Sequence, residues 1–248
     1  MSAVADGRRK VLERIGAAAR AATGAAIAGS AERNAGATAA EAHSDIPRDY
    51  VRRGDMTVRA RHERFVERLK EYDAEVVECE PDGLAAAITS VLAASGRHRF
   101  VAPPGIPAEW YVDAAWKIEG LECTFDHGLE TREIEQAEGV ITACFCGVAD
   151  SGTIVLHHGP TEGRRVLTLL PDWHLCVVHS SQVVETLPEY FDRCAIRDQR
   201  LKNRDQGAEA LPKLVTWISG PSATADIEMT RIKGVHGPRF LNVILVGD

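Results

Sequence analysis

The spacing of apolar residues changes repeatedly after residue 55, and each change predicts a different element of secondary structure. Apolar side chains recur at helical spacing among arginines and glutamates over 56–72, which predicts an amphipathic helix. Short apolar runs at 74–79 and 99–105 predict strands, and the alanine-rich stretch 81–95 between them predicts a second helix. This succession of strand, helix and strand is typical of a parallel sheet with covering helices.

The centre of the chain contains four short apolar or β-branched runs separated by glycine, proline and polar turns. These runs predict four strands, at 139–149, 152–158, 165–171 and 174–180. A helical stripe of apolar residues then predicts a helix over 181–194. We expect Pro188, which lies inside that stripe, to kink or split the helix.

The C-terminal part of the chain predicts three further elements. The run 214–220 predicts a strand, and 221–233 predicts a helix that Ser222 caps. The continuous apolar run at 239–248 predicts a closing strand that is buried on both faces.

These elements together predict the domain organisation. Residues 46–248 are expected to form one α/β domain, with a mostly parallel open sheet flanked by helices. Residues 1–45 are rich in alanine and contain no aromatic residue, and they predict a helical extension with a helix at 8–22.

The chain of 248 residues carries 29 basic and 36 acidic side chains, and its acidic excess is concentrated in one block. Residues 101–150 hold ten acidic and two basic residues. An acidic surface disfavours contact with phosphates, so we expect neither a nucleic acid nor an anionic membrane as partner. We interpret this acidic block as a solvated surface that keeps the protein soluble. The alternative is that the block binds a basic partner protein.

The longest apolar stretch outside the N-terminal segment, near 140–149, is far shorter than the roughly 18 residues that span a bilayer. The N-terminal segment is basic and alanine-rich, but Glu13, Arg14 and Arg20 interrupt it, and it is too weakly apolar for an export signal. We therefore expect a cytoplasmic protein without a membrane span.

Six cysteines lie mostly inside apolar runs, which is typical of buried free thiols in a reducing compartment. Cys144 and Cys146 form a C-x-C pair, but no second pair or four-cysteine cluster accompanies it. His157 and His158 alternate faces on a strand and so do not share a metal comfortably. The sequence thus predicts no metal site and no cofactor bound by this chain.

The first candidate site is "ISGPSATADIE" at 218–228, where a strand is expected to run into the start of a helix. Backbone N–H groups at such a helix start bind carboxylates or phosphates. The substrate-binding candidates here are Ser219, Gly220, Ser222 and Thr224, and Asp226 follows within about the first turn. The alternative is that Ser222 and Asp226 only cap the helix and favour its dipole.

The second candidate site is "GVHGP" at 234–238, a turn between the expected helix and the last strand. The two glycines hold His236 on a loop, where its imidazole would act as a general acid or base together with Asp226. The alternative is a histidine that hydrogen-bonds the backbone of its own turn.

The third candidate site is "ADSGTIVL" at 149–156, followed by a turn with two arginines. Asp150, Gly152 and Thr153 open the strand, and Arg164 or Arg165 would clamp a carboxylate or phosphate. The alternative is that the two arginines only cover a sheet edge. We expect the loops of all three sites to form one pocket for a small anion.

Several familiar motifs are missing from the sequence. There is no G-x-x-x-x-G-K-[ST], no G-x-G-x-x-G, no H-E-x-x-H and no G-x-S-x-G. A P-loop nucleotide hydrolase, a Rossmann dehydrogenase and a zincin protease therefore have no support in the sequence.

Four segments resemble one known family. They are "GVADSGTIVL", "RRVLTLLPDWHLCVV", "TWISGPSATADIE" and "GVHGPRFLNVILV", and they are similar to the LUD-domain family of the lactate-utilisation protein C type. "IPRDYVR" at 46–52 and "VAPPGIPAEW" at 101–110 resemble the same family. The resemblance implies a fold like that of coenzyme A transferases and ribose-5-phosphate isomerase.

The resemblance also implies a role in oxidising L-lactate to pyruvate with two partner proteins, one cysteine-rich and one carrying iron–sulfur clusters. This chain lacks both motif types, so any redox centre is expected on the partners. Family members usually have Glu-Thr-Gly-Thr where this chain has Asp150-Ser151-Gly152-Thr153, and this shorter acid puts a nucleophilic role of the carboxylate in doubt. Two alternatives stay open: a noncatalytic assembly or regulatory subunit, and a stand-alone enzyme on a phosphorylated or coenzyme A-linked molecule.

Overall fold

The computed structural model describes residues 50–111, 119–202, 212, 214–225, 231–234 and 236–247. From Val51 onward they belong to one compact unit, Val51–Asp248. Its α-helices are α1 (Val58–Glu71), α2 (Leu84–Ser95), α3 (Thr131–Glu135) and α4 (Leu187–Lys202). Its strands are β1 (Glu75–Cys79), β2 (Arg99–Ala102), β3 (Glu122–Phe125), β4 (Gly139–Ala143), β5 (Cys146–Val148), β6 (Thr153–Leu156), β7 (Trp173–His179), β8 (Val183–Val184), β9 (Thr216–Ile218), β10 (Ala223–Ala225), β11 (Arg231–Lys233) and β12 (Phe240–Val246).

Six strands form the main sheet, in the order β1-β12-β7-β4-β2-β3, and every neighbouring pair is parallel. The expected α/β fold with a mostly parallel sheet is confirmed. The closing strand β12 lies between β1 and β7, and six of its seven residues are buried, as its continuous apolar run predicts. Because all six strands run the same way, their carboxyl ends meet at one edge of the sheet.

We call that side the carboxyl edge; it comprises the residues that directly follow Cys79, Ala102, Phe125, Ala143, His179 and Val246. The opposite side, where the strands begin, is the amino edge. There an ion pair joins the residues that precede β7 and β12, with Arg239 Nε 2.6 Å from Asp172 Oδ1.

A second, four-stranded sheet in the order β8-β5-β6-β9 packs on one face of the main sheet. Ile154 and Leu156 of β6 share a buried cluster with Val178 of β7 and Val243 of β12, and Phe65 of α1 completes it. On the outer side of the small sheet, Tyr190 and Cys194 of α4 pack on Cys146, Val148 and Val155.

The other face of the main sheet is covered by α2. Ile88 and Leu92 of that helix pack against Phe100, Leu175 and Ile244 of the sheet. The layers are therefore helix, parallel sheet, small sheet and helix. This stacking explains why β4, β7 and β12 are apolar on both faces.

Local signals define the ends of the two long helices that were predicted before residue 100. Thr57 caps α1, since its side-chain oxygen accepts the Ala60 backbone N–H at 3.2 Å. The second helix ends at Gly96, which has a left-handed φ of 65°. The predictions for 56–72 and 81–95 are confirmed, with a short 3-10 turn at Pro81–Gly83 before α2.

Two of the four central strands differ from prediction. The run 139–149 forms two strands instead of one, because the chain leaves the main sheet after Ala143 and enters the small sheet at Cys146. The run 165–171 is not a strand: Arg165–Thr168 is a 3-10 helix, and its Leu167 packs into a cluster with Val101 and Val140. This segment runs across one face of the main sheet, from the carboxyl edge to the amino edge. Its apolar residues therefore pack on that face.

The helix predicted over 181–194 is displaced along the chain. Val183–Val184 is strand β8, and the helix runs over Leu187–Lys202. The prediction that Pro188 kinks the helix is wrong, because Pro188 occupies the first helical turn, where no backbone N–H is needed within the helix.

The prediction of a helix over 221–233 is also wrong, because both described ends of this segment are strands. Ala223–Ala225 and Arg231–Lys233 are strands that pair antiparallel, with Thr224 opposite Ile232. Because no helix begins here, Ser222 does not act as a helix cap. The predicted helix at 8–22 and the extension 1–45 lie outside the described residues.

Four of the six cysteines, Cys144, Cys146, Cys176 and Cys194, are buried free thiols. Burial raises the pKa of the Cys146 thiol to about 11, and raises that of Cys123 further.

We therefore expect Ellman's reagent to leave the four buried thiols, Cys144, Cys146, Cys176 and Cys194, unmodified in the native protein at neutral pH. After unfolding in guanidinium, the reagent should modify all six thiols. Cys79→Ser, which removes a partly exposed thiol, serves as the control for surface reactivity. Rapid native labelling of more than two thiols would contradict this burial.

Candidate functional site

Three hydroxyl groups join the predicted loops 150–153 and 219–226. Thr153 Oγ1 lies 2.7 Å from Ser219 Oγ and 2.7 Å from Ser151 Oγ. The register of β6 and β9, in which Ile154 faces Ile218, brings these residues together at the end of the small sheet. Asp150 beside them is exposed.

The third predicted loop, 234–238, lies against the second. Ser222 Oγ accepts the His236 backbone N–H at 3.0 Å, and the Ser222 N–H donates to the Pro238 carbonyl at 2.8 Å. His236 itself is exposed. Because Pro238 precedes β12 by two residues, these loops lie at the amino edge of the main sheet.

Gly152 and Gly220 at this edge approach the end of α1 closely. Their φ values are 59° and 82°, in the left-handed region that favours glycine. A Cβ on Gly152 would lie 2.7 Å from Arg68 Cβ, and one on Gly220 would lie 2.5 Å from Tyr72 Cβ. The structure therefore gives both glycines a packing role against the helix.

Arg164 lies at the opposite edge. Its guanidinium donates to both carboxylate oxygens of Asp126, with Nε 2.7 Å from Oδ2 and Nη2 2.6 Å from Oδ1. Asp126 directly follows β3, so this pair belongs to the carboxyl edge. The hydrogen bonds from Arg164, followed by those from Gly128 and Leu129, hold the pKa of the Asp126 carboxyl below its usual value.

The predicted site residues thus separate into two groups. The loops with Thr153, Ser219 and Ser222 meet at the amino edge, whereas Arg164 and the neighbouring Arg165 do not join them. Thr224 contributes its backbone to strand β10, and Asp226 lies outside the described residues. The loops and the two arginines therefore do not form the single pocket that we expected, because they lie at opposite edges of the main sheet.

A loop over residues 157–165 crosses the carboxyl edge, and Arg164 and Arg165 are the only residues in it that the sequence predicted as binding candidates. Its Pro160 carbonyl accepts the Gly105 N–H at 3.1 Å, and its Thr161 carbonyl accepts the Ala143 N–H at 3.0 Å. The loop therefore covers the ends of β2 and β4. Ligands of open α/β sheets bind outside these strand ends.

Two buried or strained residues shape this loop. The buried Glu162 carboxylate accepts the His157 backbone N–H. His158 has a φ of 56°, one of two left-handed non-glycine residues in the described chain. The sequence signals for this loop were its two arginines, Arg164 and Arg165, which were predicted to clamp an anion, and its density of His, Gly and Pro.

The two adjacent histidines have separate partners, but not through alternation on a strand, because β6 ends at Leu156 and His158 has a left-handed φ. His157 stacks on Phe145 with ring centroids 3.7 Å apart, and its Nε2 lies 2.9 Å from the Tyr190 hydroxyl. His158 Nε2 lies 2.8 Å from Thr216 Oγ1. Burial, with a smaller effect of Arg165, lowers the pKa of His158.

Within the described residues, no group of three or more His, Cys, Asp and Glu side chains is arranged to hold a metal ion. No helix in the same ranges is both long and apolar enough to cross a membrane.

Comparisons with known proteins agree with the resemblance seen in the sequence. The family model of the LUD domain matches residues 62–246. A Deinococcus radiodurans protein named Lactate utilization protein C is 37% identical over 185 residues, which covers 74% of this chain and 78% of that protein. A Bacillus subtilis protein of the same name is 36% identical over 137 residues, or 54% of either chain. The crystal structure of a DUF162 family protein from Deinococcus radiodurans matches with a TM-score of 0.60 and 31% identity, over 78% of this chain and 100% of that chain.

Proposed function

Because the chain belongs to the LUD domain family, we propose that it serves lactate utilisation as a cytoplasmic subunit that acts with iron–sulfur partner proteins. The observation that carries this proposal is the similarity to Lactate utilization protein C along most of both chains. The described fold contributes a carboxyl edge with arginine side chains, which suits a carboxylate ligand.

The proposed reaction oxidises L-lactate to pyruvate. The C2–H and O–H bonds of lactate break and a C=O bond forms, which releases two electrons and two protons. We assign the acceptor of the electrons to the iron–sulfur clusters of the partner proteins. The part proposed for this chain is to bind the carboxylate and to assemble with those partners.

Deletion of the gene tests the proposal. We expect the deletion strain to lose growth on L-lactate as the sole carbon source and to keep growth on pyruvate, because only the oxidation step is missing. The wild-type gene restores growth on L-lactate. Growth of the deletion strain on L-lactate at the parental rate would remove the proposed role.

Site variants in the same strain test which edge of the sheet matters. His236→Ala alters a candidate residue at the amino edge and Arg164→Lys alters one at the carboxyl edge. Glu138→Gln alters a carboxylate of the amino edge that bonds to His98 and Arg99 and to no candidate site residue. We expect His236→Ala and Glu138→Gln to restore growth and Arg164→Lys to restore it poorly. Full rescue by all three, with each protein folded, would favour an assembly role without a binding site.

A further inference from the structure

We propose that Arg164 binds the carboxylate of a small monocarboxylic acid at the carboxyl edge, and that the buried Asp126 is the positioning residue that orients it. The identity of the acid as lactate or pyruvate rests on the proposed function. The presence of a carboxylate site rests on the geometry of the pair alone.

Asp126 is held rigidly enough to position another side chain. Its carboxylate is only 3% exposed, and its Oδ1 accepts the backbone N–H groups of Gly128 at 3.1 Å and Leu129 at 3.0 Å. The Arg164 guanidinium completes this set of partners with two short hydrogen bonds. A buried carboxylate with four donors fixes the plane of the guanidinium that it binds.

Arg164 keeps donors for a second acceptor. Nε and Nη2 contact Asp126, and Nη2 also donates to the Leu129 carbonyl at 2.8 Å. In the described ranges no hydrogen bond uses Nη1, and the side chain is 50% exposed. The N–H groups of Nη1 are therefore oriented by the protein and accessible to a ligand, which lowers the entropy cost of binding.

The charge balance at this edge requires the neighbouring arginine. Asp126 neutralises Arg164, so the pair alone carries no net charge. Arg165 is exposed, and no salt bridge joins it to an acidic residue among those described. It supplies the positive charge that attracts an anion, while the carboxylate of Glu130 acts on Arg164 and competes with that anion.

The loop that carries the arginines shows further signs of a ligand site. It crosses the ends of β2 and β4 through the contacts of Pro160 and Thr161, and it includes the left-handed His158. Backbone strain of this kind persists where the surrounding structure fixes it, and it is concentrated at binding sites.

Calorimetric titration of the full chain at low ionic strength tests the site, with L-lactate and pyruvate as ligands and lactamide as the uncharged control. We expect a saturable signal for at least one acid and none for lactamide. Arg164→Lys keeps the charge but loses the fork that Asp126 orients, so affinity should fall about tenfold. Asp126→Asn should lower affinity less than Arg164→Lys, because it loses the orientation of the guanidinium but also removes the negative charge that neutralises Arg164. Glu130→Gln removes only a competing negative charge and should raise affinity.

Glu138→Gln is the matched control. The Glu138 carboxylate also accepts two backbone N–H groups, from His98 at 3.0 Å and Arg99 at 2.9 Å, and it lies 3.8 Å from the Arg99 guanidinium. It precedes β4 and thus belongs to the amino edge. Because the Glu138 side chain is 34% exposed, a smaller loss of stability without a change in affinity is expected, which separates a positioning role from a structural one.

Two results would overturn the proposal. One is the absence of saturable carboxylate binding by the wild-type chain, and the other is equal affinity in the wild type and in folded Arg164→Lys. Neither result depends on growth on lactate, so the binding site and the proposed pathway fail separately.

Discussion

Gly152→Ala will destabilise the fold by about 3 kcal/mol, because the new methyl group has no space and the backbone has an unfavourable φ. The φ of 59° costs an alanine about 1 kcal/mol. The added Cβ would also lie 2.7 Å from Arg68 Cβ and 2.9 Å from the Arg68 carbonyl carbon, so helix α1 must shift. Urea denaturation of the wild type and the variant measures the difference in free energy of unfolding.

Gly96→Ala is the matched control for this prediction. Gly96 has a φ of 65°, almost the same as Gly152, but an added Cβ there would meet no atom within 4 Å. The control should therefore lose only the conformational part, about 1 kcal/mol. Equal losses in the two variants would show that α1 moves away from residue 152 without cost.

The comparison bears on function because Gly152 was a predicted binding residue. A large loss of stability in Gly152→Ala would locate the requirement for glycine in the contact with α1. Any loss of activity in that variant then follows from unfolding and says nothing about a ligand. The hydroxyl groups of Thr153 and Ser219 are better probes of the amino edge, since their removal leaves the backbone in place.

The elements that were predicted correctly are those in which the spacing of apolar residues along the element itself shows which side chains are buried. Helix α1 shows apolar spacing because one of its faces packs on the sheet, and β12 shows a continuous run because it lies between two parallel strands. The antiparallel pair of β10 and β11 has no such pattern. Its pairing depends on hydrogen bonds between Ala223–Ala225 and Arg231–Lys233, which local spacing does not reveal.

The candidate site was predicted residue by residue but not as an arrangement. Thr153 and Ser219 are 66 residues apart and meet only through the register of β6 and β9. Arg164 and Asp126 are 38 residues apart and meet because β3 ends beside the crossing loop. Asp126 lies in the acidic block that we interpreted as a solvated surface, so no sequence signal marked it as a buried partner.

The second large effect concerns His174, whose imidazole is buried in the main sheet. Its Nε2 lies 2.8 Å from Thr142 Oγ1, and burial lowers its pKa from 6.5 to about 4. Between these two values the unfolded chain binds more protons than the folded chain, so stability increases with pH in that window. We expect the wild type to lose about 2 kcal/mol of stability through this residue between about pH 7.5 and about pH 5.

The variant His174→Gln isolates this effect, because glutamine does not titrate and still offers Thr142 a hydrogen-bond partner. Its free energy of unfolding should depend less on pH by about 2 kcal/mol over the same range, whatever its stability at neutral pH. His236→Gln, at an exposed position, serves as the control for replacing a histidine by glutamine. An unchanged dependence in His174→Gln would mean that the buried histidine takes up its proton without unfolding the sheet. The acid sensitivity would then belong to another group, such as the partly buried His158, whose lowered pKa acts in the same direction.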